Sequence, residues 1–135
     1  MPALMLGLGL TLLLSFIPPC WSYGGGAPLS VCSSLQPGHG SRPRDNATSP
    51  FTLLLREGAG QAVVAVRLTA GPGVQFKGFL VQARRLADNA VVGSFTVAGE
   101  AEQQAQYLNC GGVAQSSVTH SQPVSKVAIP NGYRW

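Results

Sequence analysis

Residues 62–84, AVVAVRLTAGPGVQFKGFLVQAR, carry the pattern that decides the fold class. In the first part of this stretch Val64, Val66 and Leu68 alternate with smaller or polar residues, which places the apolar side chains on one face of an extended chain. The sequence AGPG at 70–73 is a strong turn signal, because glycine and proline favour the backbone angles of tight turns. Alternation of period two that ends at such a turn is typical of β-strands.

The same combination of short apolar stretches and turn residues continues along the chain in both directions. Helical periodicity is nowhere sustained, and residues 100–106, which are rich in helix formers, are too few for a stable helix. The predicted strands are residues 51–56, 62–69, 76–84, 91–97, 105–110, 116–120 and 124–129. Short strands at this spacing predict an all-β fold with the architecture of a sandwich.

The N-terminal segment is of a different kind. Residues 1–22 contain no charged side chain, and the apolar run within them is shorter than the ~20 residues that a membrane-spanning helix needs. Pro18 and Pro19 end this run, and Ser22 supplies the small side chain that signal peptidase accepts. We therefore predict a signal peptide at 1–22, with an uncleaved membrane anchor as the alternative. The mature protein is then a single secreted domain at 23–135, without a membrane span.

Two cysteines remain in the mature chain, Cys32 and Cys110, because Cys20 belongs to the predicted signal peptide. An oxidising secretory compartment favours one disulfide between them. A reactive thiol or a metal-binding pair is the alternative, but the chain has no C-x-x-C spacing and no histidine cluster near either cysteine. The bridge would tie the N-terminal segment to the strand that ends at Cys110.

An acceptor sequence for N-linked glycosylation lies in a polar loop. Asn46-Ala47-Thr48 has the required N-x-T pattern, and turn-forming residues surround it. Ser49-Pro50 follows directly, and a proline just past the acceptor sequence can hinder modification. The sequence predicts that Asn46 is exposed and glycosylated in a secreted protein.

The net charge of +4 comes from basic residues that are scattered along the chain. Nucleic-acid binding would require a clustered basic stripe in a matching fold, so this class of partner is excluded from our expectations. The simplest interpretation is a solvated, mildly basic surface. The alternative is attraction to anionic extracellular partners such as sulfated glycans, bacterial surface polymers or acidic matrix proteins.

The candidate binding residues follow from this alternative. Arg42 and Arg44 lie beside the glycosylation sequence, Arg84 and Arg85 form a pair, and residues 133–135 form an aromatic and basic C-terminal tip. Arginine and aromatic side chains are the types that dominate interface energetics. We therefore predict these residues as contacts for an extracellular protein, glycan or microbial-surface ligand.

Catalytic chemistry has few residues to work with. The chain contains two histidines and five carboxylates, and the carboxylates fall in predicted loops or turns. A hydrolytic triad would need a histidine beside a nucleophile and an orienting acid, and a metal site would need three or four ligands. The sequence links no such set. We predict a non-enzymatic protein without cofactor or metal, in which His120 pairs with Thr119 or a backbone carbonyl.

Several motifs together resemble the reeler (reelin-type) domain family. They are YGGGAP at 23–28 before Cys32, KGFLVQAR at 77–84, GSF at 93–95, LNC at 108–110 and VTHS at 118–121. Their order and spacing are similar to those of the family from Tyr23 to about Ser121. The most specific match is Gly-Phe-Leu followed by Ala-Arg.

The resemblance implies an immunoglobulin-like β-sandwich in an extracellular protein. Such domains occur in matrix and neuronal guidance proteins, in small secreted defence proteins, and in relatives of ferric-chelate reductase. In the reductase relatives the haem chemistry belongs to a cytochrome b561 membrane region, so the resemblance assigns no haem or iron role to any residue here. The function that the resemblance implies is that of a secreted recognition module, with a role in innate immunity or in matrix binding.

Two alternatives stay open beside this expectation. One is the N-terminal, non-catalytic domain of a ferric-chelate reductase-like membrane protein, as a fragment or an isoform. The other is a structural matrix module without a dedicated ligand. The C-terminal end departs from the family, because residues 127–135 follow Lys126 where the family has further strands. We therefore predict that one or two closing strands are missing and that an exposed sheet edge promotes association.

Overall fold

The computed structural model of the protein describes residues 23–58, 63–123, 125–126 and 133–134. The predicted signal peptide and most of the predicted strand at 124–129 lie outside these residues. Within them the chain forms seven strands and no α-helix. The strands are β1 Phe51–Glu57, β2 Val64–Ala70, β3 Leu80–Gln82, β4 Thr96–Val97, β5 Ala105–Leu108, β6 Ser117–His120 and β7 Tyr133–Arg134. Short 3-10 helices occupy Leu29–Val31, Asn46–Thr48, Gly99–Gln103 and Cys110–Gly112.

The described strands pair into two antiparallel sheets. One sheet has the order β1-β2-β7-β4, and the other has the order β3-β6-β5. In the longest pair, β1 with β2, Leu54 lies opposite Arg67. In the second sheet β6 is central, and Val118 lies opposite Val81 on one side and Tyr107 on the other. The predicted all-β fold with two sheets and one disulfide is confirmed.

The last strand lies inside a sheet. β7 pairs with β2 and β4, which places Tyr133 opposite Val66 and Val97. The backbone of Tyr133–Arg134 is therefore paired on both sides, and this part of the predicted C-terminal tip does not project from the fold. Trp135 lies outside the described residues.

The predicted strand at 76–84 contributes only β3 to a sheet. Its flanks form isolated bridges, Phe76 with Lys126 and Arg84 with Val91. The chain thus changes backbone partner twice within one apolar stretch. Apolar periodicity indicates which side chains are buried, but it does not indicate which strand each backbone group meets, so the predicted strand is too long.

The predicted strand at 91–97 is similarly reduced to β4. Gly93 adopts a positive φ of 70°, which interrupts the extended backbone before β4 begins. Glycine tolerates this conformation because it has no Cβ. The predicted fourth strand is therefore wrong in its first half for a local, conformational reason.

The hydrophobic core draws residues from both sheets. Its members are Val66, Phe76, Phe79, Val81, Phe95, Val97, Ala101, Ala105 and Val118. In β2, Val66 is buried while Ala65 and Arg67 are exposed, as the alternation predicted. Phe95 is the largest side chain among the fully buried residues, with 1% of its surface exposed.

Hydroxyl groups lie inside this core along β6 and the residue before it. Ser116, Ser117 and Thr119 are all fully buried. Their side chains bond the Cys110 backbone at 2.9 Å, the Gln82 side chain at 2.9 Å and the Phe79 carbonyl at 2.8 Å, respectively. Because each buried hydroxyl has a partner, a polar sequence can occupy the centre of the sheet.

β1 is an apolar edge strand. It forms the end of its sheet, and every residue of Phe51–Glu57 is exposed. Leu55 has 63% of its surface exposed, and Phe51, Leu53 and Leu54 are also among the exposed large hydrophobic residues. An exposed edge of this kind presents unpaired backbone groups to other chains. The structure places the apolar edge at β1.

Substitution of Leu54 by glutamate is expected to reduce self-association of the protein. The new carboxylate would lie opposite Arg67 on β2, where an opposite-charge pair is tolerated, and it would oppose pairing of two β1 edges. Sedimentation velocity over a concentration series measures the effect. Ala114→Glu, at an exposed position outside the strands, is the control with the same charge change. Equal association of the two variants would contradict the prediction.

Candidate functional site

Residues 23–28, the N-terminal arm, are held against the second sheet by polar contacts. The Ala27 N–H donates to Thr119 Oγ1 at 2.9 Å, from the arm to the buried hydroxyl of β6. The side-chain amide of Gln106 in β5 donates to the carbonyl of Gly25. The YGGGAP motif therefore lies across β5 and β6 and is hydrogen-bonded to both strands.

His120 joins the arm to Phe79, the residue before β3. The Phe79 N–H donates to His120 Nδ1 at 3.2 Å, which places the ring proton on Nε2. Nε2 lies 2.9 Å from the carbonyl oxygen of Tyr23 and donates to it. The prediction that His120 bonds a backbone carbonyl is confirmed, and the ring has a structural role at this place.

Two glycines of the sequence motifs make room for this arrangement. A Cβ on Gly78 would lie 2.9 Å from Cε1 of His120, closer than carbon atoms normally approach. Gly26 has a φ of +118°, and a Cβ there would lie 2.8 Å from the carbonyl oxygen of His120. The motif glycines are thus explained by the close approach of the arm, β3 and β6.

A cavity of about 500 Å³ opens beneath the arm. We call it the arm pocket, and its walls are the arm, Val31 with residues 35–39, residues 77–80, and His120 with Pro123. Val31, Leu35, Phe79 and Leu80 contribute apolar side chains to the lining. A concave, mainly apolar space of this size is characteristic of small-molecule sites, which span roughly 300–1,000 Å³. No local sequence pattern predicts this pocket, because its walls come from four separate segments of the chain.

The disulfide between Cys32 and Cys110 anchors the chain that follows the arm. The two Cα atoms are 5.5 Å apart, and Cys110 is buried. Arg84 reinforces this anchor: its Nη2 donates to the carbonyls of Cys32 at 2.7 Å and Ser33 at 2.9 Å, and its Nε donates to Gln82 Oε1 at 2.6 Å. The Ala-Arg end of the KGFLVQAR motif therefore clamps the segment that the disulfide ties down.

Arg85 has a different environment from its neighbour. Its guanidinium lies 3.4 Å from the carboxylate of Asp88, and both side chains are at least half exposed. The predicted arginine pair is thus one internal clamp and one surface cation. Ligand binding by either residue stays a prediction, and Arg85 is the one whose charge faces solvent.

Alanine substitution is expected to separate these two roles. Arg84→Ala removes three hydrogen bonds and should lower the free energy of unfolding by about 1–2 kcal/mol. Arg85→Ala removes a solvent-exposed ion pair and should change it by less than about 0.5 kcal/mol. Urea unfolding followed by circular dichroism measures both. An equal effect of the two substitutions would show that Arg84 is not a clamp.

The loop with the other predicted contacts is fully accessible. Arg42, Arg44 and Asn46 are exposed. Asp45 caps the 3-10 helix that begins at Asn46, since its Oδ1 accepts from the Ala47 N–H at 3.1 Å. The loop therefore presents two arginines and the glycosylation sequence together on the surface.

Lys126 is a buried cation that the sequence analysis did not identify. It has only 4% of its surface exposed, and its Nζ donates to the carbonyls of Lys77 and Gln122, each at 3.1 Å. Burial lowers the pKa of the Lys126 amine. The backbone of Lys126 also pairs with that of Phe76 in an isolated β-bridge, next to the Lys77 carbonyl that its side chain bonds. The lysine thus acts as a structural tie between the residues before β3 and those after β6.

No group of three or more His, Cys, Asp or Glu side chains is arranged to hold a metal ion within the described part of the chain. The helices described there include none that is long and apolar enough to cross a membrane.

Two sheets with a shared core, closed by one disulfide that secures a docked N-terminal arm, define a small β-sandwich module. The chain belongs to the Reeler domain family, whose family model matches residues 30–135.

The similar proteins include one named as a ferric-chelate reductase and one named as a defence protein. The chain is 34% identical over 113 residues to the Danio rerio protein named "Putative ferric-chelate reductase 1", a match covering 80% of this chain and 18% of that protein. It is 32% identical over 117 residues to "Putative defense protein 3" of Antheraea mylitta, covering 84% of this chain and 66% of that protein. The chain therefore spans less than a fifth of the first relative and just under two thirds of the second.

A solved structure with the same family name also resembles the chain. The human F-spondin reeler domain is 25% identical, with a TM-score of 0.49 over 70% of this chain and 67% of that one.

Proposed function

We propose that the protein is a secreted, non-catalytic recognition module that binds anionic polymers of microbial surfaces or of the extracellular matrix. The observation that carries this proposal is the share of each relative that the match covers. It is 66% for the Antheraea mylitta defence protein and 58% for a Drosophila melanogaster defence protein, against 18% for the Danio rerio reductase relative. In the two defence proteins, the reeler region makes up most of the chain.

The charge distribution supports anionic ligands. The chain carries a net charge of +4, and Arg42, Arg44 and Arg85 are exposed on loops. Loops held on a rigid scaffold commonly carry binding residues, because their side chains are free to contact a partner. The loop at 42–46 therefore supplies the contact surface, with Arg85 as a further exposed cation.

Two further features belong to the same proposal. Cleavage after Ser22 would release the domain, and a glycan on Asn46 would stand beside Arg42 and Arg44 on the exposed loop. The glycan would then limit which polymers can reach these arginines. Removal of the glycan should therefore change binding at this loop more than elsewhere.

The binding test compares two double variants of equal charge. Purified secreted protein is titrated against immobilised lipopolysaccharide, lipoteichoic acid and heparan sulfate by biolayer interferometry. Loss of two exposed ion pairs should weaken binding by about tenfold in Arg42→Ser/Arg44→Ser. Arg56→Ser/Arg67→Ser, on β1 and β2, is the control and should retain affinity within about twofold. Equal weakening in both would mean that net charge alone drives binding, and no binding by the wild type would refute the proposal.

A second candidate function is that of an N-terminal domain in a larger membrane protein. It is favoured by the identity of 34% to the Danio rerio reductase relative. Long-read sequencing of the transcript tests it directly. A reading frame that continues into a multi-helix membrane region of the cytochrome b561 kind would establish this candidate, and a stop codon after Trp135 would eliminate it.

A further inference from the structure

The lining of the arm pocket contains basic but no acidic side chains. His39, Lys77 and His120 line it, whereas no Asp or Glu does. Both ring nitrogens of His120 are already bonded within the protein, so His39 and Lys77 are the groups that face a ligand. An apolar cavity whose lining includes a lysine ammonium and an imidazole that can donate a hydrogen bond complements a molecule with an apolar body and one negative charge.

The frame around the pocket is fixed before any ligand enters. The disulfide and the Arg84 clamp hold Cys32 and Ser33, and the Leu35 N–H donates to the carbonyl of Val31 at 2.8 Å. Leu35 adopts a left-handed backbone with a φ of 54°, and residues 36–39 after it also line the cavity. This conformation is uncommon for a leucine, and it places an apolar side chain in the wall. A fixed frame lowers the entropic cost of binding.

From these observations we propose that the arm pocket binds a medium-chain fatty acid. The carboxylate lies at His39 and Lys77, and the alkyl chain lies against Val31, Leu35 and Leu80. This activity is independent of the polymer binding proposed above, because it uses a different surface. Neither proposal therefore depends on the result of the other.

The chemical class of the ligand is tested with a series of probes below their micelle concentrations. The secreted chain, labelled with ¹⁵N, is titrated with octanoate, decanoate, decanol and decyltrimethylammonium, and amide shifts are followed by NMR. We expect decanoate to bind roughly tenfold more tightly than octanoate, since each buried methylene contributes a factor of about four at most. Decanol should bind more weakly than decanoate, and the cation should bind weakest. Equal binding of decanoate and the cation would overturn the proposal.

The location is tested with two variants of the pocket. Leu35→Gly removes an apolar wall, and the protein still folds because glycine accepts the left-handed backbone without strain. It should weaken decanoate binding by about fivefold or more. Lys77→Gln should weaken it by about three- to fivefold, the effect of one exposed ion pair. Arg67→Gln on β2 carries the same charge change and is the control.

The map of perturbed amides distinguishes this pocket from the apolar edge at β1. Shifts at Val31, Leu35 and Leu80 are expected. Shifts confined to residues 53–55, or decanoate affinity that is the same in Leu35→Gly and the wild type, would show that the arm pocket is not the site. Loss of polymer binding in the arginine variants, with decanoate binding intact, would confirm that the polymer surface and the arm pocket are separate.

Discussion

Replacing both Cys32 and Cys110 by serine is expected to remove most of the stability of the domain. The disulfide joins positions 78 residues apart, and the chain-entropy model assigns about 4.5 kcal/mol to a closed loop of this length. Small domains have unfolding free energies of roughly 5–15 kcal/mol, so this loss would nearly equal the total stability of a domain at the lower end of that range. The bridge also holds the segment that Arg84 clamps, which lies between two residues of the pocket lining, Val31 and Leu35.

Urea unfolding and the amount of secreted protein measure this prediction. The double variant avoids the free thiol that a single substitution would leave. Reduction of the wild type with dithiothreitol is the matched control, and it should lower the unfolding midpoint to that of the double variant. If the double variant is secreted normally and unfolds at the wild-type urea concentration, the disulfide does not stabilise the fold as described.

Replacing Phe95 by alanine is expected to destabilise the domain by about 3–5 kcal/mol. The side chain has 1% of its surface exposed and belongs to the core shared by the two sheets. Removing a buried aromatic ring costs its transfer free energy and leaves a cavity that the surroundings fill only in part. The Phe95 N–H still donates to the Gln115 carbonyl at 2.8 Å, so the loss reports packing and not a backbone bond.

Phe51→Ala is the matched control for this substitution. Phe51 lies on the edge strand β1 with 40% of its surface exposed, and it contacts the ring of Phe76 edge-on at a centroid distance of 5.8 Å. Its loss should cost about 1 kcal/mol, mainly the aromatic contact. Thermal or urea unfolding of both variants gives the comparison. Similar losses for the two would contradict the assignment of Phe95 to the centre of the core.

The fold class was predictable because it depends on local pattern. Period-two alternation in residues 62–69 correctly identified the buried face of β2, and AGPG at 70–73 correctly marked its end. Strand lengths were less predictable, since a backbone group bonds according to tertiary neighbours. Gly93 shows this, because its positive φ ends the extended conformation inside an apolar stretch.

The arrangement around the arm was beyond prediction because it joins residues distant in sequence. His120 bonds Tyr23 across 97 positions, and Arg84 bonds Cys32 across 52. The family motifs marked these residues as a set but did not assign their roles. Arg84 was predicted as a surface contact, and its three internal hydrogen bonds give it a structural role that a charge count cannot detect.

Lys126 illustrates the same limit for buried charges. A lysine in a polar C-terminal region is expected to face solvent, yet this amine is buried and bonds two backbone carbonyls. The return of the chain past the residues before β3, through the bridge with Phe76, brings the Lys77 carbonyl within reach, whereas Gln122 lies only four residues before the lysine. Residues of this type are found from tertiary structure and not from composition.

The most direct test of a secreted, disulfide-closed module is the intact mass of the protein made from the full 135-residue chain in a mammalian secretory cell line. Medium and lysate are measured before and after reduction and treatment with a glycosidase. We expect the medium to contain a protein that begins at Tyr23, carries a removable glycan on Asn46 and gains two hydrogens on reduction. A protein that stays in the lysate, still begins at Met1 and has free thiols would contradict the account.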